Sequence, residues 1–366
     1  MRGLRLVPRL VITSRRQVLQ SMVALGLALL VGAICLLVAG LSPLDVYLHI
    51  AEAGLFSIDG LADTAVCATP ILLCALGLLL PFRMRLWNIG GEGQLLLGAW
   101  AATGVALSLP SWPRSLLLLT MSLAAMAAGG LWGLIPGVLR VRLRTSEVLV
   151  SLMLNYVALA WLRFFVFGRW SENGFPLTPQ LVKSAWLPRL LDWAERFPIL
   201  TGLPSHVGVL WALLLAIGVG VWLRRSQTAF DLRVIGDSAR AAQTAGIPVA
   251  ARMILAMTVS GAFCGLAGMI EVAGVVHRLQ DRFSPGYGYS AIIVVWLARL
   301  SPSGVVLVSI LFGALIVAGR EVQPSGIAQM IQGFVLFAVI SSDVLLRYKV
   351  RISRTGAAQA TAGESA

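Results

Sequence analysis

The sequence predicts an all-α, polytopic bundle of about ten membrane-spanning helices with both termini on the cytoplasmic side, and three observations predict it. First, 58% of the 366 residues are hydrophobic and only 12% are charged, about half the charge of a typical soluble domain. Second, the apolar residues gather in uncharged runs, several of them near the roughly 20 residues that a helix needs to cross a bilayer. Third, arginine is distributed asymmetrically between those runs.

The runs place spans near 18–41, 64–82, 94–109, 115–139, 147–167, 206–223, 253–275, 288–300, 303–319 and 326–346. The first exceeds the roughly 7–15 residues of a signal-peptide core, so it reads as an uncleaved span after Arg15 and Arg16. The segments 94–109, 288–300 and 303–319 are short, which fits tilted, broken or internally buried helices. With the N-terminus inside, 20 of the 29 Lys and Arg residues fall in cytoplasmic segments, as the positive-inside rule requires. The outer segment 42–63 has no basic residue and carries Asp45, Glu52, Asp59 and Asp63. The organisation expected is a cytoplasmic N-terminal segment (1–17), a membrane domain (18–346) and a disordered cytoplasmic tail (347–366).

The net charge of +13 would raise nucleic acid as a partner for a soluble chain. Here the basic residues flank apolar runs and set orientation, so the partner expected is membrane lipid and not nucleic acid. Cys35, Cys67, Cys74 and Cys264 all lie in apolar stretches without a CxxC pair; they read as small buried hydrophobes, with neither disulfide nor metal expected. Two connectors are long. Residues 168–205, on the outside, hold five prolines along with Trp170, Phe175, Trp186, Trp193 and Phe197, a mixture that fits structured pieces at the interface. Residues 224–252, on the inside, read as a strand-like or coil segment followed by a small helix from Asp237 to Ala245, ended by Gly246 and Pro248. Glycines at helical spacing, Gly133 and Gly137, then Gly261, Gly265 and Gly268, allow close helix packing.

Absences narrow the chemistry. No GxxxxGK[ST] occurs, so the chain lacks a phosphate-cradling loop of that type. His49, His206 and His277 are scattered, and neither GxSxG nor HExxH is present. No catalytic role and no resident cofactor are expected.

The most unusual stretch is Asn88-Ile89-Gly90-Gly91-Glu92-Gly93-Gln94. Glycine costs about 1 kcal/mol in a helix interior, so three glycines favour a break or a close backbone approach. Freed backbone groups at membrane depth are tolerated where they are buried in protein or line a cavity. Asn88, Glu92 and Gln94 therefore read either as a polar lining or as an ordinary turn with Glu92 paired to Arg83 or Arg85. Glu147 and Asn155, roughly 80° apart on one helix, read either as a functional face or as interhelical glue. Glu271, inside a span, is either wet and functional or paired with Arg278 or Arg282.

The stretch from Asn88 to Gln94 resembles the signature of ABC importer permeases for nucleosides and simple sugars. The similarity is greatest to the branch served by binding proteins of the basic membrane lipoprotein type. Further similar features are Glu147–Tyr156 (EVLVSLMLNY), Phe175–Pro179 (FPLTP), and Gly286–Ala291 (GYGYSA) with Pro302 and Gly304 after it. The resemblance spans roughly residues 60–345 and implies a bacterial inner-membrane subunit that translocates a nucleoside, or a simple sugar, by alternating access. It places Asn88, Glu92 and Gln94 along the substrate path, and Asn155, as a polar group inside the bundle, is expected there with them. It makes Ser238, Ala239, Arg240, Ala241, Thr244, Ala245 and Gly246 the coupling loop that seats on an ATPase, with Ala239-Arg240-Ala241 in place of the EAA-type sequence. The partners implied are an ABC ATPase subunit that binds ATP-Mg, a second homologous permease and an extracytoplasmic substrate-binding protein. The rival class is an ion-coupled secondary transporter of a small polar solute, which would act alone.

Overall fold

A computed structural model describes residues 2–8, 14–38, 40–193, 205–320 and 326–354. The described chain is helical apart from a short terminal ribbon and three isolated bridges. It divides into two compact units, residues 45–328 and a unit made of 1–44 with 329–366.

In the larger unit the helices are α3 (Ile58–Arg83), α4 (Gly91–Ser108), α5 (Arg114–Leu143), α6 (Glu147–Phe167), α7 (Gly208–Arg225), α8 (Gln227–Asp237), α9 (Ala239–Thr244), α10 (Val249–Glu271), α11 (Tyr287–Leu297) and α12 (Pro302–Gly319). Two π-turns interrupt the pattern, Glu52–Phe56 before α3 and Val272–Val276 continuing α10. Among the described residues, six helices are long and apolar enough to cross a membrane: α3, α5, α6, α7, α10 with its π-turn, and α12. Helix α4 carries Glu92 and Gln94 in its first turn, which dilutes its apolar character. Helix α11, at 11 residues, covers only about 16 Å and is a half-helix.

Burial ranks these helices. Of the most apolar stretch of α3, 89% is buried, against 22% for α6 and for α7. Helix α3 is therefore the central post, packed by α10, α11 and α12, while α6 and α7 present side chains such as Phe164, Leu214 and Ile217 outward. The cap of α3 is local: Ser57 Oγ accepts from Gly60 N at 2.9 Å, so the helix begins six residues before the expected span at 64–82. The preceding π-turn is tied down by Thr64, whose hydroxyl donates to Gly54 O at 2.7 Å. Helices α5 and α10 share the most extensive contact among the described helices, and the glycine spacing allows it. A methyl at Gly265 would run into the Ala125 carbonyl, and one at Gly261 into that of Gly129.

The smaller unit holds α1 (Ser14–Val38), most of α13 (Ile327–Arg347), and strands β1 (Arg2–Pro8) and β2 (Tyr348–Arg354). The strands pair antiparallel, Arg2 opposite Arg354 through Pro8 opposite Tyr348. This corrects the expectation of a wholly disordered tail from 347, since alternating apolar and polar residues allow pairing; residues 355–366 lie outside the described residues. Two further segments differ. The connector 42–63 contains a helix, α2 (Pro43–Ala51), before the π-turn. The segment 227–237 is helix α8, not strand or coil: it buries Ala229, Leu232, Ile235 and Gly236, the spacing of one helical face. The end of the proline-rich connector, 194–204, lies outside the described residues.

Candidate functional site

The segment from Leu86 to Gly90 joins α3 to α4 without helical structure, and Gly91 and Gly93 fall in the first turn of α4. Its polar side chains close on one another. Asn88 Nδ2 donates to Gln94 Oε1 at 3.1 Å and to Ser260 Oγ of α10 at 3.0 Å. Gln94 Nε2 returns a bond to Asn88 Oδ1 at 3.1 Å, and Gly90 N donates to the same oxygen at 3.0 Å. Both amides are almost wholly buried. This ring satisfies groups that would otherwise be costly in an apolar interior.

Helix α6 supplies the second set of braces. Asn155 Oδ1 accepts from Gly93 N at 2.9 Å, while its Nδ2 donates to Ile89 O at 2.9 Å and to Tyr289 Oη at 3.1 Å. One turn earlier, Ser151 Oγ accepts from Ile89 N at 3.1 Å. Asn155 thus does for this break what a neighbouring strand does in a sheet, pairing a backbone donor and a backbone acceptor.

The third element is the N-terminus of α11. Glu92 Oε2 accepts from Gly288 N at 2.8 Å, and Ser284 is a second hydrogen-bond partner of the carboxylate. A carboxylate in the first turn of a helix satisfies an orphan N–H and complements the helix dipole. The approach requires glycine, because a methyl at Gly288 would overlap the Glu92 nitrogen. Two helices therefore begin against each other, α4 at Gly91 and α11 at Tyr287.

A cavity of about 480 Å³ opens beside this meeting point. It is lined by Glu92, Asn155, Ser284 and Tyr289, with Arg163 and Gln280 farther along the wall. Arg163 is held by a two-pronged pair with Asp281 at 2.9 and 3.3 Å. Of the four expected path residues, Glu92 and Asn155 line this cavity, whereas Asn88 and Gln94 sit behind its wall in the amide ring. The turn reading of Glu92 is corrected, since Gly288 and Ser284 are its partners and not Arg83 or Arg85. Glu147 pairs with Arg140 at 3.3 Å, away from the cavity. Glu271 accepts from Tyr287 Oη at 3.3 Å, so its partner is that tyrosine and not Arg278 or Arg282. Ser284, Gly288 and Tyr289 were not expected at the site, although the last two lie within the GYGYSA stretch.

Residues 60–340 match the family model described as the permease component of branched-chain amino acid transport systems. The chain belongs to this permease family. The permease is 33% identical to a glucose ABC transporter permease protein of Haloferax volcanii over 336 residues, 89% of this chain and 88% of that one. It is 30% identical to a guanosine ABC transporter permease protein of Bacillus subtilis over 350 residues, 93% and 97% of the two chains. A nucleoside ABC transporter permease protein of Lactococcus lactis is 28% identical over 336 residues, 89% and 90%. The permease is a multi-pass transport subunit, and the family places ATP hydrolysis in a separate chain and implies a substrate-binding partner.

The seven residues expected to form the permease's coupling loop lie on and around α9. Ser238 caps α9, its Oγ accepting from Ala241 N at 3.2 Å, and Thr244 donates to Arg240 O at 3.1 Å. Gly246, with φ +76°, ends the helix, Ile247 N donating to Ala242 O at 3.0 Å in a Schellman closure. Ser238, Ala239, Arg240, Ala241, Thr244, Ala245 and Gly246 are all exposed, and Ala242 alone in the helix is buried. The preceding α8 is fixed at its middle and at its C-terminal end. Asp231 pairs with Arg252 of α10 at 2.9 Å, and Gly236 lies against the Arg83 carbonyl at the end of α3.

A further polar cluster escaped sequence reasoning. Leu181, Leu187 and Thr178 of the proline-rich connector donate backbone bonds to His277, Ala273 and Leu279, strapping it along the π-turn of α10. His277 stacks on Trp186, ring centres 3.9 Å apart. His206 is wedged between Gly208 and Gly274. Burial first, then the nearby His277 and Arg189, pull the His206 imidazole down to about 4. No single segment carries a signal for this cluster.

Proposed function

We propose that this chain is the translocating subunit of an importer for nucleosides, its substrate passing the cavity beside Glu92, Asn155 and Tyr289. One observation carries the reading: two helix starts, α4 and α11, meet at a carboxylate and an amide beside a cavity of about 480 Å³. Broken helices with lined cavities are where membrane proteins hold polar solutes. A carboxylate, an amide and a phenol match the hydroxyls of a ribose and the edge of a base by hydrogen bonding. The guanosine and nucleoside relatives support that substrate class. The glucose relative favours a second reading, a simple sugar; an ion-coupled secondary transporter is not favoured by these relatives.

In this reading ten segments cross the bacterial inner membrane with both termini in the cytoplasm, supported by the arginine asymmetry and by a helix at each expected segment. Asn88 and Gln94 hold the break at the edge of the path, and Glu92 and Asn155 touch solute. The exposed α9 seats on the ATPase, which holds ATP-Mg. Its movement reaches the site through α8, by way of Gly236 against the end of α3 and the break at Leu86–Gly90. A second related permease completes the pore, and an extracytoplasmic binding protein delivers solute to the outer face.

The test is reconstitution in proteoliposomes with an ABC ATPase and a substrate-binding protein from the same organism, ATP on the ATPase side and binding protein opposite. Nucleoside uptake that needs both supports the proposal, and competition by sugars separates the two substrate readings. Uptake by this chain alone on an ion gradient would overturn it.

A further inference from the structure

A second cavity, of about 1030 Å³, lies elsewhere, between α7, α8 and the turn joining α11 to α12. Its two ends differ in chemistry. One wall is the stripe Leu213, Ile217 and Val221 on α7, spaced four residues apart and so aligned on one helix face; all three are exposed. The other end is ringed by Arg83, Arg224, Arg233 and Arg299, and no carboxylate is among its described lining residues. The acid closest in sequence to Arg233, Asp231, is committed to Arg252. Arg83 Nη2 donates to Leu300 O at 3.0 Å, while its Nε is buried without a hydrogen-bond partner. Arg83 and Arg233 lie close enough for their like charges to act on each other, an arrangement that an anion between them relieves.

We propose that this groove binds an anionic phospholipid, its phosphate held by Arg83, Arg224 and Arg233 and an acyl chain lying along Leu213, Ile217 and Val221. Guanidinium groups suit phosphate oxygens because their fork matches two of them at once. Basic pockets between membrane helices take acidic headgroups for this reason. The apolar stripe selects a lipid over a soluble phosphate, since a free anion would leave it uncovered. Such a lipid would join α7 to α8 and so bear on the segment that leads into α9. The inference needs only that the chain spans a membrane, and does not rest on the proposed substrate.

The full chain, purified in detergent, would be offered phosphatidylglycerol and phosphatidylcholine with identical acyl chains, and bound lipid counted by native mass spectrometry. Phosphatidylglycerol is expected to be retained several-fold in preference. Arg224→Gln and Arg233→Gln, both at exposed positions, should each cut that retention about fivefold. Arg233→Lys should keep most of it, and Arg142→Gln, at the end of α5, should change nothing. Equal retention of the two lipids, or an equal loss in Arg142→Gln, overturns the proposal. So does displacement of the lipid by millimolar inorganic phosphate, which would make this a site for a free anion. Unchanged lipid retention in Arg233→Gln with weaker co-purification of the ATPase would assign the groove to that protein instead.

Discussion

The Glu92 carboxylate and the Gly288 amide nitrogen, 196 positions apart in the chain, meet at 2.8 Å. This single bond joins the first turns of α4 and α11. Because the contact is backbone on one side, side-chain substitutions on either helix act on it differently.

Gly288→Ala inserts a methyl where the Glu92 nitrogen already lies. Overpacking of this kind costs about 1–3 kcal/mol. The expected result is a lowered Tm in detergent together with loss of uptake, whereas Gly333→Ala, where nothing lies within 4 Å, should cost far less.

Glu92→Gln keeps an oxygen for the Gly288 N–H but removes the charge, while Glu92→Leu strands that donor. A buried donor without a partner costs roughly 1–3 kcal/mol. Thermal melting should therefore separate Leu from Gln, with Gln near wild type. If Glu92 touches solute as proposed, Gln should still raise the KM for uptake; an unchanged KM and kcat would remove it from the path.

Asn155→Leu removes partners from Gly93 N and Ile89 O together. At roughly 1–3 kcal/mol for each stranded group, it should be among the most damaging single changes in α6. Asn155→Asp keeps the acceptor for Gly93 and loses only the donor side. The order of Tm values, wild type above Asp above Leu, checks the assignment of the amide's two ends.

His206 gives a pH dependence with a defined sign. Its folded value, about 4, lies below the ordinary value near 6.5, so the unfolded chain binds more protons between those limits. Stability is thus fully present above pH 6.5 and falls as pH drops toward 4. Melting across that range should show the decline, and His206→Gln should flatten it.

Asp231→Asn releases α8 from α10 without touching α9 or the cavity. Partly exposed pairs contribute up to about 1 kcal/mol, so the Tm should shift little. In the proposed coupling route, ATP hydrolysis would persist while the uptake obtained per ATP falls; unchanged coupling would exclude the route through α8.

Much of this was legible in the sequence, for identifiable reasons. Spans are read from the length of apolar runs, and every expected run coincides with a helix. Of the three glycines that predict a break or a close backbone approach, a local signal, Gly90 lies in the break at Leu86–Gly90, while Gly91 and Gly93 lie in the first turn of α4 against Gly288 and Asn155. By contrast Gly288, Ser284 and Tyr289 reach Glu92 and Asn155 only through folding, and no spacing rule joins positions nearly two hundred residues apart. Helix α8 was misread because Phe230, Leu232 and Val234 alternate with Asp231 and Arg233, a period of two. Its burial instead follows a period near 3.6, set by docking against α3 and α10. Asn88 and Gln94 resemble a cavity lining by composition, but their side chains bond to each other in both directions, and Ser260 on a distant helix accepts a further bond.

That ring of Asn88, Gln94 and Ser260 is built entirely from neutral groups. Moving one elementary charge through 100 mV of membrane potential involves about 2.3 kcal/mol, and this ring has none to move. The ring is electrically silent: a change of membrane potential pulls instead on the charges to either side of it, Arg83 and Arg85 where α3 ends and Glu92 where α4 begins.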